Sequence, residues 1–335
     1  MLKETFMSND YNAWAWTPGA GLDGLQLVRK PLPNPGPGQV LVANRAIALN
    51  PVDWKICQWG HPDWHQGTVP GVDGVGVVEA LGDGVDLPLG TRVAYHQTLS
   101  RDGSFAEYCL VDANLLMYLP TNLDDSAAAA VPCPALTAWQ ALAKVPAGAN
   151  CDVLVIGAGG AVGWYVAQLA VQRGLRVWAT AGQHHHAALK ALGLIEAYDY
   201  QASDWQARLQ AALGERPLHA LFDTVSGAHA ASLAHLLGYN GHLVCIQDRQ
   251  ENAPLPAFST AISLHEVALN SIHAHGRLLD RQALRVAGEQ LLQAVAEGRL
   301  LSPQRRSFDF QTLPQALRQL KDGRLGGKWV ARLAQ

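Results

Sequence analysis

Between residue 152 and about 247 the apolar positions alternate between two spacings. Short apolar runs at 153–156, 176–181, 220–224 and 242–246 predict strands. Interleaved with them, apolar residues at helical spacing predict helices over 162–173, 185–192, 205–213 and 230–237. Repeated strand and helix units imply a parallel sheet covered on both faces. The pattern upstream is different. Over 13–110, alternating or apolar runs at 25–28, 40–46, 74–80, 92–95 and 105–111 are split by turns such as Pro33-Asn-Pro-Gly-Pro-Gly38, which predicts a small antiparallel barrel or sandwich. After Ser126, helices are expected at 127–130 and 136–142, with Pro132 and Pro134 between them. The C-terminal part predicts helices at 281–297 and 313–320. It ends on a strand, 328–333, expected to return to the N-terminal domain.

Residues 152–163 carry the strongest local signal. A five-residue stretch, Asp152 to Ile156, reads as a buried strand and runs into Gly157-Ala-Gly-Gly-Ala-Val-Gly163 and then into a helical pattern. Strand, glycine turn and helix in that order make a dinucleotide-binding unit, although the glycines follow G-x-x-G-x-x-G rather than G-x-G-x-x-G. Small residues are needed here because the turn is tight, the backbone must approach a pyrophosphate, and the helix must pack hard on the strand. The anion then sits at the helix N-terminus, among unpaired N–H groups.

Composition narrows the remaining choices. A chain of 335 residues predicts two domains, and 49% hydrophobic with 16% charged residues describes a globular protein with a full core. A net charge of −3 gives no reason to expect nucleic acid or an anionic membrane as a partner. Residues 1–10 contain acids and no apolar core, so no signal peptide is read there. The uncharged stretch 153–171 is long enough to span a bilayer, but its four glycines and strand-turn-helix order fit a core βα unit. Five scattered cysteines without a C-x-x-C pair suit a reduced, cytoplasmic protein.

Seven stretches in order resemble the zinc-independent quinone oxidoreductase (zeta-crystallin-like) branch of the medium-chain dehydrogenase/reductase superfamily. They are Asn50-Pro-Val-Asp-Trp-Lys55, Pro70-Gly-Val-Asp-Gly-Val-Gly76, Gly90-Thr-Arg-Val93, Gly103-Ser-Phe-Ala-Glu-Tyr108, Ala128-Ala-Ala-Val-Pro132 with Leu136-Thr-Ala-Trp139, the glycine stretch, and Asp223-Thr-Val-Ser-Gly227. The resemblance implies an α/β protein in which a GroES-like β-rich catalytic domain, 1–130 with 273–335, accompanies a Rossmann domain with a doubly wound parallel sheet, 131–272. It also implies a homodimer, with residues 262–272 supplying the edge strand through which such sheets pair.

Metal is not expected. Zinc-dependent members hold the ion with a Cys near position 50, a His-Glu pair near 72 and a later Cys or Asp; here Asn50–Asp53 has no Cys and Val72-Asp73 stands in place of His-Glu. The pair His61 and His65 lacks a third ligand, and the tract His184-His-His186 reads as a solvated first turn.

NADP is the expected cofactor. NAD-specific sites place an acid at the end of the second strand, about twenty residues beyond the glycines, but 153–195 contains none. By resemblance, Gly157, Gly160, Ala161, Val162, Gly163, Thr180, Gln183, His186, Tyr200 and Val225 contact the cofactor. His186 falls where the branch usually has Lys. Asn50 and Thr137 would line the nicotinamide pocket, and Lys55 would polarise a carbonyl or bind an anionic tail. Trp54, Trp59, Trp64 and His61 form either an aromatic wall above Lys55 or ordinary packing. Asp53 and Asp73 are expected to fix loops rather than move protons. The expected activity is NADPH-dependent hydride transfer, without zinc, to an electrophilic small molecule, a quinone or an α,β-unsaturated carbonyl. An enoyl-thioester reductase and a non-catalytic NADPH-binding protein stand as alternatives.

Overall fold

A computed structural model describes residues 10–146, 148–323 and 326–333. Residues 1–9, where the sequence reads no signal peptide, lie outside the described residues. The chain divides into two compact units, Met1–Cys133 with Asn270–Gln335, and Pro134–Leu269. The expected boundaries lay at 130/131 and 272/273.

The first unit opens with β1 (Asp10–Ala15) and β2 (Gln26–Pro31), an antiparallel ribbon. Then come β3 (Gln39–Ala48), α1 (Pro51–Trp59), β4 (Asp73–Leu81), β5 (Arg92–His96), β6 (Tyr108–Asp112), β7 (Met117–Tyr118) and α2 (Asp125–Ala129). Helix α1 interrupts a stretch that reads as β-rich. Pro51 at its first turn has no N–H to leave unpaired, and Asp53 accepts the Asn50 N–H at 2.6 Å. Helix α3 (Pro132–Ala143) follows. Its two prolines, expected to separate two helices, instead lie within its own first turn, where the missing donors cost nothing.

The second unit continues with β8 (Asp152–Ile156), α4 (Ala161–Gln172), β9 (Arg176–Ala181), α5 (His186–Ala191), β10 (Glu196–Asp199), α6 (Trp205–Leu213), β11 (Leu218–Asp223), α7 (Gly227–Leu233), β12 (Leu237–Cys245) and β13 (Ser263–Glu266). All six strands pair in parallel in the order β10-β9-β8-β11-β12-β13, the order of a Rossmann sheet. Strand β8 is central and buried along its whole length, which explains why its sequence is continuously apolar from Val153 to Ile156 instead of alternating. Strand β10 carries no apolar run long enough to stand out in the sequence. The expected edge strand at 262–272 is shorter: β13 has four residues, and Ser271–His275 is helical.

The chain returns to the first unit through α8 (Ser271–His275), α9 (Leu278–Ala296), β14 (Arg305–Ser307), α10 (Leu313–Asp322) and β15 (Lys328–Arg332). Strand β15 pairs antiparallel with β3, so the C-terminal strand completes the N-terminal sheet, ordered β14-β15-β3-β4-β5-β7 with β6 also on β3. Trp14, Trp16, Ile47, Leu49, Cys57, Phe105 and Trp329 form one core beneath this sheet; Val40, Val42, Val78, Val93 and Tyr95 form another. Among the described residues no helix is long and apolar enough to cross a membrane.

Candidate active site

In the second unit, the carboxyl ends of β8, β9, β10 and β11 carry the expected cofactor residues. Gly157 leaves β8 at φ 75°, a left-handed conformation that favours glycine. Its N–H donates to Thr180 Oγ1 at 3.3 Å, and its carbonyl accepts the Gly160 N–H at 3.0 Å, closing the turn. Ala161, Val162 and Gly163 make the first turn of α4, which contains no acid. Their N–H groups precede the first intrahelical bonds and face an anion-binding end. A Cβ on Gly163 would lie 2.4 Å from the Gly157 carbonyl oxygen, and one on Gly157 2.3 Å from Thr224 Oγ1. The loop is a cradle that side chains would fill, and a pyrophosphate fits its donor set.

At the end of β9, Thr180 is buried and Gln183 is exposed on a short turn, Gln183–His185. His186 Nε2 lies 3.0 Å from the Ala181 carbonyl, so that nitrogen donates to the backbone and Nδ1 is the one left for a ligand. It is His185 whose ring lies over the loop, 2.4 Å from where a Gly159 Cβ would stand, with the His184 ring 4.0 Å away. Partial burial, then His184 and His186, hold the His185 imidazole below its ordinary pKa. Tyr200 beyond β10 is 58% exposed. Val225 beyond β11 is 50% exposed, and its N–H is fixed by Asp223 at 2.7 Å. Thr137 lies buried in α3.

In the first unit, Asn50 and Lys55 both belong to α1 and its cap but sit in different surroundings. Asn50 is buried, and its amide is engaged at both ends: Nδ2 donates to Asp73 Oδ2 at 2.8 Å and Oδ1 accepts from Lys328 Nζ. Lys328 also donates to Asp73 Oδ2, at 3.1 Å. The other Asp73 oxygen accepts the Cys133 N–H in the first turn of α3, at 2.9 Å. Lys328 and Asp73 are 3% and 0% exposed, so the ion pair is wholly inside the protein. Burial raises the Asp73 pKa, while Lys328 and Asn50 pull it back. Asp53, beneath the same cluster, is pushed up to about 7, by burial first; its Oδ1 has no partner among the described residues.

A buried histidine, His96, and a half-buried one, His273, adjoin this cluster. His96 ends β5 opposite Asp73, and its Nδ1 lies 3.2 Å from His273 Nε2 with the rings stacked. Burial first, then Lys328 for His96 and chiefly His96 for His273, lowers both to about 3. Sequence reading passed over Lys328, His96 and His273. A lysine opening the terminal strand just ahead of the apolar run Trp329-Val-Ala331 was the available signal for the first; the histidines offered none.

Lys55 Nζ lies 5.6 Å from the Trp54 ring and 5.9 Å from the Trp59 ring, and Lys321 Nζ also lies 5.6 Å from the Trp54 ring. The aromatic set is divided. Trp59 is 69% exposed, whereas Trp64 is buried, donates to the Leu99 carbonyl and packs edge-on against Trp16. His61 lies 3.6 Å from Asp63.

Two family profiles match the chain: the alcohol dehydrogenase GroES-like domain over residues 36–121 and the zinc-binding dehydrogenase domain over 192–330. The chain is 34% identical over 197 residues to the chloroplastic quinone-oxidoreductase homolog of Spinacia oleracea, covering 56% of this chain and 60% of that protein. It is 35% identical over 200 residues to the trans-enoyl reductase tazE of Aspergillus terreus, covering 54% and 66%. A phthioceranic/hydroxyphthioceranic acid synthase of Mycobacterium tuberculosis matches 90% of the chain at 29% identity, but the match spans 14% of the synthase. The chain thus spans less than two thirds of these relatives. The crystal structure of an alcohol dehydrogenase superfamily protein from Novosphingobium aromaticivorans superposes with a TM-score of 0.84 at 25% identity, covering 97% of this chain and all of that one. The chain belongs to the medium-chain dehydrogenase/reductase superfamily. Its Rossmann unit is a pyridine-nucleotide-binding fold.

Zinc, which the second profile's name implies, does not fit the residues present. The Lys328 ammonium already occupies the Asp73 carboxylate and the Asn50 amide oxygen. Among the described residues no group of three or more His, Cys, Asp or Glu could hold a metal ion.

Proposed function

We propose that the protein is an NADPH-dependent oxidoreductase that reduces quinones or α,β-unsaturated carbonyls without zinc. The observation that carries this reading is the glycine cradle at the end of β8 beside a β9 terminus that bears no carboxylate. An acid there would hold the ribose hydroxyls of NAD and repel a 2′-phosphate. Thr180, Gln183, His186 and Tyr200 would hold the adenosine end, and Gly160 to Gly163 the pyrophosphate. When bound, the dinucleotide supplies the hydride. Asn50 and Thr137 would border the nicotinamide, and the Lys55 ammonium would draw electron density toward a substrate carbonyl oxygen. The likeness to a quinone-oxidoreductase homolog supports this acceptor class.

A second reading, an enoyl-thioester reductase, is favoured by the likeness to a trans-enoyl reductase and by Lys55. In that reading the Lys55 ammonium serves an anionic arm. NADPH oxidation measured with 1,4-benzoquinone, a simple enone and crotonyl-CoA separates the two. Turnover of crotonyl-CoA alone would replace the first reading by the second. Cofactor binding without any turnover would leave a non-catalytic NADPH-binding protein. Assembly as a homodimer through the β13 edge belongs to the same proposal. Sedimentation showing only monomer at micromolar concentration would refute it.

A further inference from the structure

The buried Asn50–Asp73–Lys328 cluster is more than the fold requires. An ammonium and a carboxylate taken out of water lose hydration that their attraction only partly restores, and well-packed apolar residues of similar size hold a core at least as well. What such a pair does supply is direction. Lys328 reaches Asn50 and Asp73 across 278 and 255 residues of sequence, from the strand that closes the sheet. Asp73 in turn accepts the Cys133 N–H at the start of α3, as an anion placed at a helix N-terminus. One cation therefore fixes the Asn50 amide directly and the Cys133 N–H, in the first turn of α3, through a single carboxylate.

We propose that Lys328 is a positioning residue of the reductase reaction, setting Asn50 directly and through Asp73; the proposal rests on the reductase reading above. Lys328 itself is 3% exposed and does not touch substrate. Its effect is on the placement of Asn50, which would border the nicotinamide, and a misplacement of about 1 Å suffices to lower turnover by about 100-fold.

The test compares wild type with Lys328→Met, Asp73→Asn and the double variant, reading kcat and KM for the acceptor, the dissociation constant for NADPH, and thermal unfolding. Lys328→Met alone leaves a buried carboxylate without its cation and should melt well below wild type. The double variant has neither charge and should recover most of that loss. The expected result is that its kcat stays at least about tenfold below wild type, while NADPH binding, which the glycine loop governs, changes less than about threefold. A double variant that regains wild-type kcat along with its stability would show that the cluster only holds the fold, and would overturn the proposal. Wild-type protein that turns over none of the acceptors would instead overturn the reductase reading, and this proposal with it.

Discussion

Replacing Gly163 by alanine puts a Cβ 2.4 Å from the Gly157 carbonyl oxygen and 2.8 Å from the Ala158 Cα. Ordinary contact begins at 3.4 Å, so the helix or the loop must retreat by 3.4 − 2.4, about 1 Å. Neither yields easily. The atoms struck are backbone, Gly157 is pinned by its hydrogen bonds to Thr180 and Gly160, and α4 is buried along Tyr165, Val166, Ala167 and Ala170. Overpacking of this kind costs about 1–3 kcal/mol of stability. The same displacement moves the N–H groups meant for the pyrophosphate, and losing one charge-assisted hydrogen bond costs about 1.5–3 kcal/mol, or roughly 10- to 150-fold in affinity. Gly160→Ala is the control from the same loop. Its Cβ would lie 3.4 Å from the Gly157 oxygen at φ −80°, which alanine adopts freely. Gly159→Ala meets the ring of His185, which can swing aside. Fluorescence titration with NADPH and NADH, together with melting temperatures, should show Gly163→Ala weakening both cofactors by about tenfold or more and lowering the melting temperature. Gly160→Ala should keep the wild-type melting temperature. Wild-type affinity in Gly163→Ala, or an equal drop in melting temperature in both variants, would refute the steric argument.

Three further predictions concern other parts of the molecule. His186→Ala should weaken NADPH relative to NADH by about 1–2 kcal/mol, and His186→Lys should tighten NADPH; equal changes for the two cofactors would remove His186 from the phosphate site. Because His96 is held near 3 against an ordinary value of 6.5, the unfolded chain takes up a proton that the folded chain refuses, so stability is complete above about pH 6.5 and falls with acidification. Between pH 7 and 5 this share is about 2 kcal/mol for His96, and urea midpoints at the two pH values should show a smaller loss in His96→Gln than in wild type; identical losses would contradict it. Metal analysis should find no stoichiometric zinc, and chelator should leave any reductase activity intact; about one zinc per chain would overturn the metal-free reading.

The sequence by itself determined what depends on neighbours along the chain. The parallel βα unit was legible because four of its strands, β8, β9, β11 and β12, carry short apolar runs bounded by turns, and because β8, α4 and the glycines between them are contiguous; the polar β10 and β13 were not. The β-rich texture before 110 was legible for the same local reason. Helix α1 was not, because its cap is made by Asn50 and Asp53 in a stretch whose flanking strands dominate the pattern. The prolines of α3 were legible as breakers but not as a first turn, since only the arrangement of the chain around 131 decides on which side of a proline the helix begins. The site divides along the same line. Gly157, Gly160 and Gly163 were read as a phosphate loop from their place between a strand and a helix, and the missing carboxylate after β9 is a statement about consecutive residues. That the His185 ring, rather than that of His186, overlies the loop is decided by the turn at Gln183–His185. The Asn50–Asp73–Lys328 cluster and the His96–His273 pair join residues far apart in the chain. No local pattern encodes such partners. Only the sheet that returns β15 to β3 brings Lys328 to its carboxylate, and burial there decides that Lys328 is part of the interior instead of a solvated surface lysine.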